Sequence, residues 1–322
     1  MSRILSRNSV TINCMMLRCL AVAVMIVVSG VAGFAKRNPS TALGFVTNCL
    51  DARTSSMAGT RLGVLPSFSY ASAYNSAALS FADNQFSSSL SYSGLGDGYR
   101  PSLGVSGRIG KKFGLGMTAS MSLYEKYELV DILGKPQGYF SPSDALFTAG
   151  FSYRFLPKFS LGASVKYARE MLVKDVSYGA IMADVLLMAK FSECHVVAGV
   201  VNIGEKITIR GDESYPLMAG AVLGAGWDAL VAEKHRICLG ADFNYYFCGT
   251  LNVSAAAEYA FDKWLSARAG YCFASLDGQR RSDISAGLGF KFWKMSLDGA
   301  YVMPLGDAPL KNHFALTLGF GF

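Results

Sequence analysis

Phe113-Gly114-Leu115-Gly116-Met117-Thr118-Ala119-Ser120-Met121-Ser122-Leu123-Tyr124 alternates residue by residue. Odd positions are apolar; even positions are small or polar until Tyr124. A period of two marks a strand with one apolar face, because successive side chains leave opposite sides of the backbone. The pattern recurs. Ala145, Phe147, Ala149, Phe151 and Tyr153 alternate with Thr148, Gly150, Ser152 and Arg154. Phe159, Leu161, Ala163, Val165 and Tyr167 alternate with Ser160, Gly162, Ser164 and Lys166. Leu251, Val253, Ala255, Ala257, Tyr259 and Phe261 alternate with Asn252, Ser254 and Glu258. A soluble sandwich also gives each strand one apolar face, so strand length, uniformity and ends must discriminate.

The alternation predicts strands at 86–94, 101–110, 113–124, 144–155, 159–171, 178–191, 194–204, 216–227, 235–247, 249–261, 264–273, 282–292, 295–303 and 313–322. Most are ~9–12 residues long, the length of a tilted strand through a bilayer. Connections at 110–112, 156–158, 192–193, 262–263 and 293–294 are tight, whereas 125–143, 205–215, 274–281 and 304–312 are long. Short turns at one end and long loops at the other are the outer-membrane arrangement, with both termini in the periplasm. Two connections depart from it: 228–234 is long for its end, and the one near Cys248 is short.

Composition agrees. The chain of 322 residues is 51% apolar and 16% charged, where a soluble domain carries about 25% charged residues. Mean hydropathy is +0.29. Beyond residue 35 no apolar run approaches the ~18–20 residues of a spanning helix. In lipid every backbone polar group must be paired internally, which leaves a closed barrel. The expected fold is all-β: a closed antiparallel transmembrane β-barrel of about 14 strands over 86–322.

Residues 1–35 read as an export leader: Met16-Leu17-Arg18 is a basic start, Cys19 to Val28 an apolar core, and Gly33-Phe34-Ala35 a small-residue site, with cleavage after Ala35 or Ala32. Translation starts at Met1, Met15 or Met16, and the alternative to a leader is an N-terminal anchor. Three of the 30 bases, Arg3, Arg7 and Arg18, fall there with no acid, leaving 27 bases against 23 acids. That mild excess gives little support to nucleic-acid binding, which needs a clustered basic face. Cys49, Cys194, Cys238, Cys248 and Cys272 remain, an odd number without CxxC spacing, so a disulfide framework or metal site is poorly supported.

The last strand sets Phe314, Leu316, Leu318, Phe320 and Phe322 against Ala315, Thr317, Gly319 and Gly321 and stops on the aromatic ring. An open apolar edge would invite aggregation, so closure explains it better. With the apolar faces toward outer-membrane lipid, the lumen receives Arg108, Arg154, Lys166, Lys190, Arg268 and Lys291 with Glu170, Asp184, Asp242, Glu258 and Asp298. This near balance favours cross-lumen ion pairs and closure over a wide pore. Inward-facing Gly150, Gly162, Gly220, Gly224, Gly226, Gly287 and Gly289 point to packing against something inside. Residues 36–85, rich in Ser and Ala and without alternation, are the candidate: an internal hatch, with a disordered periplasmic tail as the alternative.

At this point the chain resembles the FadL family of outer-membrane barrels, most closely its PorV-like branch and the small FadL-like barrels of spirochaetes. Asp51-Ala52-Arg53 through Ser56-Met57-Ala58-Gly59 resembles the family's opening segment. Tyr74-Asn75-Ser76-Ala77-Ala78-Leu79 is similar to its Asn-Pro-Ala-Gly/Ala-Leu hatch motif, with Ser76 where Pro is usual. Val200-Val201-Asn202-Ile203-Gly204 with Pro216, Glu258-Tyr259 with Leu265-Ser266-Ala267-Arg268-Ala269-Gly270-Tyr271, and Ser285-Ala286-Gly287-Leu288-Gly289-Phe290 with Leu297-Asp298-Gly299-Ala300-Tyr301 follow in family order. The resemblance implies a fourteen-strand barrel with an N-terminal hatch, uptake of long-chain fatty acids or other hydrophobic small molecules, and no cofactor. It also implies recognition of the terminal aromatic strand by the barrel-assembly machinery. The loops look short for the family's transporters, which keeps a structural or secretion-accessory barrel, or an open diffusion porin, as alternatives.

The sequence points away from an enzyme: His195, His235 and His313 are the only histidines, each at a strand end, and no GxSxG, HExxH or P-loop is present. Loop 125–143 carries Leu129, Val130, Ile132, Leu133, Tyr139 and Phe140, an apolar set that either offers lipids a landing surface or packs over the barrel mouth. Arg210-Gly211-Asp212 in another outer loop is a possible host-receptor tripeptide, a motif frequent by chance.

Overall fold

The computed structural model describes residues 41–131, 133–174, 176–208, 214–274, 282–305 and 313–322. The expected leader, residues 36–40 of the expected hatch, Ile132 and Arg210-Gly211-Asp212 lie outside the described residues. No helix among the described residues is long and apolar enough to cross a membrane.

In chain order the strands are β1 (Phe86–Gly94), β2 (Gly98–Ile109), β3 (Phe113–Tyr124), β4 (Tyr127–Val130), β5 (Pro136–Phe140), β6 (Ser143–Leu156), β7 (Phe159–Val173), β8 (Val176–Lys190) and β9 (Cys194–Gly204). There follow β10 (Ile207–Thr208), β11 (Ser214–Tyr215), β12 (Gly220–Ala232), β13 (His235–Tyr246), β14 (Leu251–Phe261), β15 (Leu265–Ala274), β16 (Asp283–Phe292), β17 (Met295–Pro304) and β18 (His313–Gly321). Fourteen of them form one closed barrel, each antiparallel to its neighbours, and β1 closes it against β18. β4–β5 and β10–β11 are separate two-stranded sheets within connections at the end opposite the tight turns.

The period of two decides which face goes where. Leu103, Met117, Phe147, Val165, Ile181, Leu239, Leu288 and Leu318 point outward and are exposed, while Ser89, Ser102, Thr118, Thr148, Ser164, Ser254, Ser285 and Thr317 point inward and are buried. A water-soluble barrel would reverse this. The apolar outer surface is a lipid-facing band, and closure leaves no unpaired edge within it.

Several boundaries differ from the sequence reading. β12 begins at Gly220 rather than 216, because Pro216 and Leu217 belong to the lumen: Pro216 O accepts from Ala42 N at 3.0 Å, and Leu217 bridges Ala42. It ends at Ala232 rather than 227. Asp228 and Arg236, which look like turn residues, form an ion pair between β12 and β13, and the ladder continues through an irregularity at Leu230/Ala232. The connection expected at 228–234 shrinks to residues 233–234. With this change every connection at the tight end is short. The other end is mixed: 95–97 and 174–175 are as short and 247–250 is one residue longer, while the connections 125–142 and 205–219 each hold one of the two extra hairpins; residues 275–281 and 306–312, in the other two connections expected to be long, lie outside the described residues.

Residues 41–85 run inside the barrel as a chain of short turns. Gly44–Thr47, Phe68–Tyr70 and Ser76–Phe81 are 3-10 turns, and Ala52–Ser55 and Ala71–Tyr74 are single helical turns. Asp51 caps the first helical turn by accepting from Thr54 N at 3.3 Å. The segment circles the inner wall. Ala52 N donates to Thr317 Oγ1 on β18 at 2.8 Å, Ala58 N to Ser285 Oγ on β16 at 2.7 Å, and Thr60 Oγ1 bonds Ser254 Oγ on β14 at 3.0 Å. Ser69 Oγ donates to Ser89 Oγ on β1, beside β18, at 2.7 Å, and on the wall across from β16 Ser160 Oγ of β7 donates to Ala77 O at 2.7 Å.

Candidate functional site

The lumen is layered. Toward the end opposite the tight turns, Leu43, Val46, Leu50, Tyr70 and Tyr74 of the internal segment pack with Leu146, Met182, Ile207, Leu217, Met218 and Tyr246 of the wall and loops. At mid-height the segment lies against the wall. A Cβ on Gly162 would land on the backbone of Ser76 and Ala77, and one on Gly226 would meet the carbonyl of Gly63. These positions accept only hydrogen because two backbones touch there. Among the expected inward glycines, Gly150, Gly224 and Gly287 also face the segment, whereas Gly220 and Gly289 are crowded by neighbouring strands.

The hatch-motif residues Tyr74, Asn75, Ser76, Ala77, Ala78 and Leu79 are all buried, pressed against β3, β6 and β7. The Leu50 amide donates to Tyr74 Oη, and Leu79 stands over Gly114.

The expected lumen charges divide into three groups. Glu258, Arg268 and Asp298 come together on β14, β15 and β17: Arg268 Nη1 is 2.6 Å from Asp298 Oδ1 and its Nε 2.5 Å from Glu258 Oε2. Arg53 of the internal segment joins them at 3.1 Å from Glu258 Oε1 and also donates to Leu65 O. Lys166 and Asp184 form the second group, with Nζ 2.6 Å from Oδ2. Lys166 donates further to Asn202 Oδ1 at 2.9 Å, and Asn202 N donates to Asp184 Oδ1 at 2.7 Å. Asn202 has φ of 56° and sits where the β8–β9 register slips between Ala183 and Val185, so a bulge aims it inward. Asp242 is the third centre. Its carboxylate accepts from Arg61 N at 2.8 Å, Leu62 N at 3.0 Å and Gly63 N at 2.6 Å.

These pairs join strands that are neighbours or, for Arg268 and Asp298, next but one on the same wall, or they join wall to internal segment. The expected ion pairs across the lumen are not formed by these residues, because residues 41–85 occupy the space between the walls. The remaining candidates stand apart. Arg154 lies over the Phe81 ring at 5.1 Å, with Lys190 at 5.8 Å. Arg108 donates to Asp83 O at 3.5 Å, Lys291 is exposed near the tight end, and Glu170 lies opposite Asp144 in the β6–β7 ladder.

Sequence reasoning missed Arg53 and Asn202 as lumen residues, although both stand in quoted family-like blocks. Arg100, 4.0 Å from Asp144 and bonded to Ser122 Oγ at 2.6 Å, is also absent from the expected set, because the alternation places the strand start at 101 whereas β2 begins at Gly98. His195 was visible only as a strand-end histidine; its Nε2 lies 3.0 Å from Leu62 O, beside the Asp242 anchor.

Among the described residues two cavities bear on the lumen. One of about 270 Å³ opens at the tight end between Leu65, Lys190, Glu193, His195, Asp228 and Arg236. Another of about 10 Å³ lies inside, among Arg61, Tyr74, Lys166, Asn202 and Asn244. At the loop end β4–β5 stands as its own hairpin, with Tyr127 Oη donating to Leu172 O at 3.2 Å. Leu133 and Tyr139 are 75% and 71% exposed, whereas Leu129 and Phe140 are half-buried, so the apolar set is divided between solvent and packing. The terminal-strand residues Phe314, Leu316, Leu318, Phe320 and Phe322 face outward. No group of three or more His, Cys, Asp or Glu among the described residues could hold a metal ion.

No protein-family profile matches the chain, and no curated protein matches it by sequence. Solved structures do match by shape. The CymD monoaromatic hydrocarbon channel superposes with a TM-score of 0.61 at 13% identity, covering 88% of this chain and 99% of that one. The Pseudomonas putida toluene transporter TodX gives 0.59 at 15% identity over 85% and 98%, and a Pseudomonas aeruginosa FadL homologue 0.53 at 12% over 84% and 98%. Fourteen closed strands, a lipid-facing exterior and an N-terminal segment threaded through the lumen give this chain the fold of the FadL-type outer-membrane barrels.

Proposed function

We propose that this barrel takes up hydrophobic small molecules across the outer membrane, long-chain fatty acids among them, with residues 41–85 as its hatch and the tight end facing the periplasm. The observation that carries the reading is the filled lumen. The hatch is buried along most of its length, and the principal lumen charges are neutralised in place. Such an interior has neither the width nor the biased field of an ion-conducting porin. It suits a solute that moves between apolar surfaces. The names carried by proteins of the same fold, toluene transporter and monoaromatic hydrocarbon channel, point the same way. The exposed Val130, Leu133 and Tyr139 of the outer hairpin are the expected landing surface.

The test is uptake of a labelled fatty acid and of labelled toluene in a strain lacking its own transporter, together with extraction of ligand from the purified barrel. Restored uptake of either compound supports the proposal. No restoration and no retained ligand overturns it. A second reading, an accessory barrel whose partner is another protein, draws on the short connections 95–97, 174–175 and 247–250, which leave the loop end low in places. Copurification of a stable surface complex without uptake would select it.

A further inference from the structure

We propose that the tight end carries a lysine–aromatic collar that binds anionic phospholipid headgroups in the leaflet around it. This is independent of what crosses the lumen.

The collar is a repeated unit. Five of the six tight connections contain a lysine followed directly by a ring or a methionine: Lys112-Phe113, Lys158-Phe159, Lys234-His235, Lys263-Trp264 and Lys294-Met295. Barrel geometry brings these distant pairs to one rim. The six connections hold six lysines against three acids, and only Lys234 among those lysines is ion-paired, to Asp262 at 3.5 Å. All six lysines are exposed, and two of them stand beside rings: Lys294 Nζ lies 5.3 Å from the Trp293 ring and 5.2 Å from that of Phe322, and Lys158 Nζ 5.5 Å from Phe191.

Those rings fix the depth of the cations. Phe292 and Trp293 are 83% and 78% exposed at the end of the lipid-facing band. Rings at the edge of an apolar belt settle at the headgroup level, and lysine stems reach outward from it. The anion at that depth is a lipid phosphodiester. A net-anionic lipid gains from the whole ring of lysines, whereas a zwitterionic lipid carries its own cation beside the phosphate. A soluble acidic protein would have to reach lysines that Phe292 and Trp293 hold at headgroup depth, where lipid phosphates already stand, so lipid is the better occupant.

All three tryptophans, Trp227, Trp264 and Trp293, lie near this end and report on it: Trp227 Nε1 donates to Glu193 Oε2 at 3.2 Å. The full chain is reconstituted in phosphatidylcholine vesicles containing a minor fraction of brominated phosphatidylglycerol or, in parallel, brominated phosphatidylcholine. At low salt the anionic lipid should quench tryptophan fluorescence more, with a relative association constant of about 3 or more. The preference should vanish at about 1 M salt, where the screening length falls to about 3 Å. It should fall toward unity in the combined variant Lys111→Gln, Lys112→Gln, Lys158→Gln, Lys263→Gln and Lys294→Gln, checked for heat-modifiable migration. If the variant does not assemble, the salt series on the unaltered chain decides. Equal quenching by the two lipids, or a preference that survives salt or the variant, overturns the proposal; equal quenching is also the outcome if a soluble acidic partner is the true occupant.

Discussion

Asp242 holds a piece of irregular chain inside the lumen by supplying the acceptors that three consecutive amides would otherwise lack. Asp242→Ala leaves those N–H groups in a buried seat, at roughly 1–3 kcal/mol each. Hydrogen exchange at Leu62 and Gly63 should then quicken by roughly an order of magnitude or more while the barrel amides keep their protection. Unchanged exchange at these two amides would show that the wall glycines alone hold the segment. Gly162 tests that other contribution. Gly162→Val drives a side chain into the backbone of Ser76 and Ala77 and should destabilise by about 1–3 kcal/mol. The measurement is the midpoint of the heat-induced mobility shift. Gly107→Ala is the control, since its Cβ meets nothing nearer than Gln85 O at 3.8 Å. The sequence shows such positions as glycines on the inward face, but not which backbone approaches them. Gly289 belongs to the same series and instead faces Asp298, Ser266 and Arg268. Arg53 illustrates the same limit: its partner Glu258 lies 205 residues away, and nothing local in the sequence pairs them.

Among the elements, the strands are legible because a one-residue slip would turn every apolar side chain into the lumen, so selection on the lipid face writes the period plainly. The reading fails where a side chain finds a polar partner within the sheet. Asp228 and Arg236 end the visible alternation of β12 and β13 but not their pairing. It also fails for β4–β5, which pairs only with itself and has no buried face to impose a pattern. That independence yields a prediction. Replacing 126–140 by a short Gly-Ser link removes the hairpin while keeping both Tyr124 and Ser143, the ends of β3 and β6. Assembly and heat-modifiability should match the intact chain, because the barrel ladder loses no pair. Uptake of a labelled hydrophobe should fall several-fold if the exposed Leu133 and Tyr139 receive it. A deletion that abolishes folding would contradict the assembly part, and one that leaves uptake intact would place the landing surface elsewhere.

At the scale of the whole molecule, closure is the property on which the rest depends, because a single open seam would expose unpaired backbone to lipid. The sequence foretells closure through its last strand but not its register; β18 meets β1 with Leu318 opposite Leu90 and Gly321 opposite Ser87. Phe322 completes this seam. Its carbonyl accepts from Gln85 N at 2.7 Å and Phe86 N at 3.0 Å, and its own N–H donates to Phe86 O at 3.0 Å. Its ring lies 5.5 Å from that of Phe86 and 6.0 Å from that of Phe320. Phe322 therefore adds the last pairing to the ladder that joins β18 to β1, where the internal segment passes into the wall. Deleting Phe322 removes three backbone hydrogen bonds together with the ring contacts, whereas Phe322→Ala removes only the ring. If the seam is chiefly a backbone device, the deletion should sharply lower the yield of heat-modifiable barrel and Phe322→Ala should lower it much less. If the assembly machinery reads the terminal ring, the two should fall together in cells yet differ when the purified chains refold in detergent. Comparing cellular with detergent yields for both variants separates the two roles, and normal yields throughout would remove Phe322 from either.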